Sequence, residues 1–115
     1  MQEKPKEPAQ RQEQEPPEED EGLKEKEYNF NPLQAEKELN IGNFYFKKGS
    51  YKAAVLRFEE ATKWNPGSGE AFLRLGEAHE KLRQPDKAKL AYAKFLEIAP
   101  DHKRAGEIQK RMGKH

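Results

Sequence analysis

Three histidines, at 79, 102 and 115, are the only imidazoles in the chain, and there is no cysteine. Their spacing matches no zinc pattern, which needs ligands two to five residues apart in pairs. Without cysteine the chain has no disulfide, no thiolate metal site and no thiol nucleophile. Glu18-Glu19 and Glu59-Glu60 are paired carboxylates, but nothing around them supplies the framework of an acid–base pair. No glycine-rich phosphate loop and no nucleophile beside a base is present. The chemistry left is binding: no catalysis, no metal and no cofactor are expected.

One cluster of charge could carry binding by itself. Lys103, Arg104, Lys110, Arg111, Lys114 and His115 gather at the C-terminal end. A basic stretch can hold nucleic acid or a membrane surface. Here no aromatic residue is interleaved with it, and cations in a last helix also suit the helix dipole. A solvated capping helix is therefore the simpler expectation, with polyanion binding as the alternative.

Composition divides the chain in two. Residues 1–27 carry five Lys/Arg and ten Asp/Glu, a net −5, whereas residues 28–115 carry a net +6. Every aromatic residue lies at or after Tyr28. A Pro-, Glu- and Gln-rich segment of this kind cannot bury enough apolar surface to offset its ordering entropy, so residues 1–27 are expected to be a disordered acidic tail. No run approaches the roughly 18 apolar residues of a membrane span.

From Leu33 onward the apolar spacing is helical and no stretch alternates with period two. Breaks at Gly49-Ser50, at 65–69, at 83–85 and at 99–101 predict five helices, at 34–47, 51–64, 69–82, 85–98 and 102–112. Gly49 suits a helix end, Pro85 a first turn, and Ser50, Ser68 and Asp101 the N-cap positions. Short connections then force antiparallel hairpins.

Phe30-Asn31-Pro32, Trp64-Asn65-Pro66 and Ile98-Ala99-Pro100 punctuate the chain at intervals of 34. Sliding the sequence by 34 pairs Glu36 with Glu70, Leu39 with Leu73, Gly42 with Gly76, Lys47 with Lys81, Ala54 with Ala88 and Pro66 with Pro100. Leu56 and Leu90, Phe58 and Tyr92, and Trp64 and Ile98 are similar pairs. Apolar and small residues match while other positions diverge, as a structural repeat requires.

The first copy reads Glu38, Ile41-Gly42, Tyr45, Ala54, Phe58, Pro66; the second reads Phe72, Leu75-Gly76, His79, Ala88, Tyr92, Pro100. This resembles the tetratricopeptide repeat family. Glu38 replaces an aromatic, His79 a tyrosine and Phe95 a small residue. The resemblance implies an all-α fold: a cap segment at 28–34, one repeat at 35–68, a second at 69–102, and a capping helix within 103–115. That helix should turn Ala105, Ile108 and Met112 inward and Lys103, Arg104, Lys110 and Arg111 outward. Phe30-Asn31-Pro32 then reads as the stub of a missing repeat. Tyr28, Phe30 and Leu33 either cover the edge around Phe44 or leave it free for a partner or a second copy.

The family resemblance also implies a function, the binding of a protein or peptide. In the family the first helix of each hairpin lines a concave groove. Carried over, that face presents Glu36, Leu39, Asn43, Phe46 and Lys47, then Glu70, Leu73, Glu77, Glu80 and Lys81. Leu39 and Glu77 stand where a carboxylate-gripping subfamily has lysine and asparagine, so no such clamp is expected. Glu70, Glu77 and Glu80 suggest basic or apolar ligands. A monomer or weak dimer is expected. The run at 35–66 also resembles the opening repeat of bacterial outer-membrane assembly lipoproteins of the BamD type. That implies an envelope location if a signal peptide was removed, and a cytoplasmic one otherwise.

Overall fold

The computed structural model describes residues 27–113; all of the expected tail but Glu27, and the last two residues, lie outside them. Five helices follow in order: α1 (Pro32–Lys48), α2 (Tyr51–Trp64), α3 (Gly69–Lys81), α4 (Pro85–Ile98) and α5 (Ala105–Met112). No strand occurs among the described residues. Helices α1 and α2 form one hairpin, α3 and α4 a second, and α5 packs against α4.

Local chemistry sets the boundaries. The Asn31 side chain accepts from the Gln34 N–H at 3.0 Å, and Pro32 fills the first helical position. Asn-Pro therefore opens α1, two residues before the expected start, as a cap followed by a residue that lacks the orphan donor. This corrects the reading of Phe30-Asn31-Pro32 as the closing stub of a lost repeat. Gly49 ends α1 with φ of 84°, where a side chain would be strained. Ser68 caps α3, its Oγ accepting from the Ala71 N–H at 3.2 Å.

Two expected caps are absent. Ser50 stands at the N-cap of α2 but makes no side-chain cap bond. Asp101 is not a cap at all: residues 101–104 form turns, and α5 starts only at Ala105.

Close approach within each hairpin depends on glycine. A Cβ at Gly42 would lie 2.5 Å from the Phe58 ring, and one at Gly76 would run into the Tyr92 ring. The phenyl and phenol rings are thus pressed onto bare backbone, which explains the 34-residue pairing of glycine and aromatic. Two buried clusters result. One joins Ala54, Val55, Phe58, Leu75, Ala78 and Ala91; the other joins Leu73, Ala88, Tyr92, Phe95 and Ile108. Phe72 packs against both.

Glu38 is buried, in the place the repeat pattern gives to an aromatic. It accepts from Arg57 Nη1 at 2.9 Å and from Gln34 Nε2 at 3.0 Å. A buried carboxylate is tolerable when paired and hydrogen-bonded in this way. His79 is likewise buried, its Nδ1 donating to Gln84 Oε1 at 2.8 Å.

The first edge is only partly covered. Tyr28 packs edge-on against Trp64, with centroids 4.8 Å apart, and donates to Glu60 Oε2 at 2.6 Å. Asn31 N–H donates to Trp64 O, tying this segment to the end of α2. Phe30 and Leu33 remain 71% and 79% exposed, and Phe44 is 56% exposed. Of the three residues expected to cover the edge, only Tyr28 is docked.

Candidate functional site

Residues 34 apart share a helical face in successive hairpins, so the groove is built from α1 and α3. Asn43 in α1 and Glu77 in α3 are such a pair, and Arg111 in α5 stands at the next interval. Arg74 links the first two. Its Nε donates to Asn43 Oδ1 at 3.0 Å and its Nη1 to Glu77 Oε1 at 2.5 Å. The same guanidinium lies over the Phe46 ring, 4.6 Å from the centroid. Charged planes stack on aromatic faces favourably, so Phe46 is held in place. Tyr51 meets its edge at 5.1 Å, and Lys81 Nζ lies 5.9 Å from the Tyr51 centroid.

Beyond Glu77 the network continues into α5. Arg104 Nη2 donates to Glu77 Oε2 at 2.8 Å and to Glu107 Oε2 at 2.9 Å. Arg111 Nη1 donates to Glu80 Oε1 at 2.8 Å, and its Nη2 to Glu107 Oε2 at 3.1 Å. Tyr92 Oη donates to the same Glu80 oxygen at 2.8 Å. The Arg104 hydrogen bonds hold Glu107 below the usual carboxylate range. Burial, followed by the hydrogen bond to Glu80, pushes the Tyr92 phenol well above its ordinary value.

These contacts correct two expectations. Arg104 and Arg111 do not point outward from the cap; their long side chains reach back to α3 and latch α5 onto it. Glu77 and Glu80 are not free carboxylates at one groove end, since both are consumed by arginines. Glu70 faces His102 Nε2 at 3.5 Å.

The remaining predicted residues divide. Phe46, Glu77, Glu80 and Lys81 come together, with Arg111, around a cavity of about 430 Å³. Lys47 and Glu36 are exposed and make no ion pair among the described residues. Leu39 is half-buried against the first core cluster. Leu73 is 1% exposed, sealed by Tyr92, Phe95 and Ile108, so it cannot touch a ligand. The cause is α5, whose Ile108 lies in the same cluster as Leu73 and removes that part of the face from solvent.

Arg74 was not anticipated as the organiser of the site. A signal was present: it lies three residues before Glu77, a helical neighbour. Arg111 carried a signal too, in its 34-residue interval from Glu77. Among the described residues, no three His, Cys, Asp or Glu side chains group as a metal site, and no helix is long and apolar enough to cross a membrane.

Two known proteins and one family model resemble this chain. Hsp70-Hsp90 organizing protein 3 of Arabidopsis thaliana is 33% identical over 91 residues, which cover 76% of this chain. The match spans only 16% of that relative's length. Among solved structures, the first TPR of Spaghetti (RPAP3) bound to HSP90 peptide SRMEEVD is 19% identical. Its match covers 71% of this chain and 92% of that one, with a TM-score of 0.35. A family model described as tetratricopeptide repeat matches residues 45–112, more than half of the chain. With glycine–aromatic packing repeated at 34 residues in two antiparallel hairpins, the chain belongs to the tetratricopeptide repeat family.

Proposed function

We propose that the protein is a non-catalytic interaction module whose concave groove binds an extended segment of a partner protein. The observation that carries this is the fixed Phe46 ring, gripped by Arg74 at the mouth of a cavity of about 430 Å³. A rigid aromatic beside polar groups is what a peptide-binding hot spot requires. The Arabidopsis relative is named as an organiser of two other proteins, which supports a protein as the class of partner.

The arginine network changes which ligand charge the groove favours. A preference for basic ligands needs free carboxylates at Glu77 and Glu80, and arginines already occupy both. Lys47 and Lys81 are left at the groove without ion pairs among the described residues, which favours acidic or neutral segments. Titration with matched acidic and basic peptides decides the sign.

The test of the groove is a pull-down with the wild type and with Phe46→Ala and Asn43→Ala, after circular dichroism has established equal helicity. Partner recovery should fall in both variants. Undiminished recovery removes the groove assignment.

A second reading, self-association through the first hairpin's outer edge, is favoured by exposed Phe30, Leu33 and Phe44. Sedimentation across concentrations tests it. Polyanion binding loses Arg104 and Arg111 to internal pairs and keeps Lys103 and Lys110; a steep salt dependence of nucleic-acid binding would restore it. The BamD-type resemblance adds the narrower proposal of an envelope assembly. Cell fractionation tests that one: recovery in the cytosol alone ends it.

A further inference from the structure

We propose that the groove continues past the Glu80–Arg111 pair into an apolar pocket between α4 and α5. This pocket takes a large apolar side chain of the bound segment, with a carboxylate next to it. The inference rests on the groove reading above and adds a specificity element to it.

Three observations carry it. First, the two cavities share walls. The groove cavity is lined by Glu80 and Arg111, and so is a second cavity of about 430 Å³ whose other sides include Ala88, Tyr92 and Met112. A ligand leaving Phe46 crosses the Glu80–Arg111 pair and enters it directly.

Second, α5 spans less of the stack than α4 does. Eight residues span about 12 Å and the fourteen of α4 about 21 Å. Ile108 packs in one cluster with Ala88, Tyr92 and Phe95, whereas Pro85 at the start of α4 stays exposed at the cavity.

Third, the rim is positive. Arg83 and Lys89 line the cavity and make no ion pair among the described residues. The one carboxylate there, Glu80, is already shared by Arg111 and Tyr92.

The charge calls for an acidic occupant. The exposed apolar edge of a second copy carries Lys37 and Lys48 and would meet cation with cation. A partner segment with a leucine- or phenylalanine-sized side chain beside Asp or Glu satisfies both the apolar lining and the cations.

The experiment is an NMR titration of the full chain with acetyl-Glu-Glu-Leu-Glu-Glu-amide and with its Leu→Ala counterpart. The leucine peptide should move the Met112 and Ala88 methyl signals together with those of Phe46 and Lys81. The alanine peptide should bind about fiftyfold more weakly, the scale set by three lost carbons, and leave the two methyl signals in place. Lys89→Glu should weaken the leucine peptide about threefold. Arg83→Gly, which suits the positive φ of 61° there, should do the same. Equal binding of both peptides with shifts confined to Phe46 and Lys81 overturns the pocket and leaves the groove standing. Shifts confined to Met112 and Ala88 overturn the continuity. No shift at either place overturns both readings.

Discussion

Arg111 Nη1 lies 2.8 Å from Glu80 Oε1 and 3.1 Å from Tyr92 Oη. One guanidinium thus ties α5 both to α3 and to α4. The pair is partly exposed, so its energy is that of a screened surface contact. Arg111→Ala is expected to cost about 0.5–1 kcal/mol and to act locally. Hydrogen exchange should speed up in α5 while α1 and α2 keep their protection.

Tyr92 makes the same junction sensitive to alkali. Its phenol is raised in the folded chain, first by burial and then by Glu80. The unfolded chain therefore releases this proton near the ordinary tyrosine value of about 10, while the folded chain still holds it. Stability from this group is complete below about pH 10 and declines as pH rises above it. Urea unfolding at several alkaline pH values should show a steeper decline for the wild type than for Tyr92→Phe.

Gly76→Ala pushes a methyl group into the Tyr92 ring, with no flexible side-chain end available to yield. Overpacking of this kind costs about 1–3 kcal/mol. A lower urea midpoint with an unchanged slope is the expected result. Gly42→Ala should behave alike against Phe58.

Glu38→Ala would strand the Arg57 guanidinium and the Gln34 amide that now donate to it. Loss of one partner from a buried, charged contact costs about 1–3 kcal/mol. The double variant with Arg57→Ala should recover part of that loss. A double variant no better than the single one would show that Arg57 reaches water unaided.

The repeat was legible because its spacing records packing: glycine against aromatic at 42 and 58, then at 76 and 92, allows one arrangement of two helices. Helix faces followed from the same period. Which faces become solvent did not. Leu39 and Leu73 are register mates, yet the second is sealed by Ile108 while the first is half-exposed. Leu56 and Leu90, aligned like packing residues, are both exposed. Arginine direction was the other hidden quantity. A side chain as long as that of Arg104 reaches either solvent or a carboxylate on the neighbouring helix, and only the turn at 101–104 decides. Asn31 was misassigned because Asn-Pro serves equally well to close one helix or to open the next.

Phe72, which touches both buried clusters, has a consequence for how the chain unfolds. In stacked repeats each unit stabilises only its neighbours, so cooperativity is a property of the joints between units. Phe72 is such a joint, on α3, where the cluster around Phe58 meets the cluster around Tyr92. With Phe72→Ala, the two halves should melt at separate denaturant concentrations, and probes of α2 and α4 would no longer report a single transition.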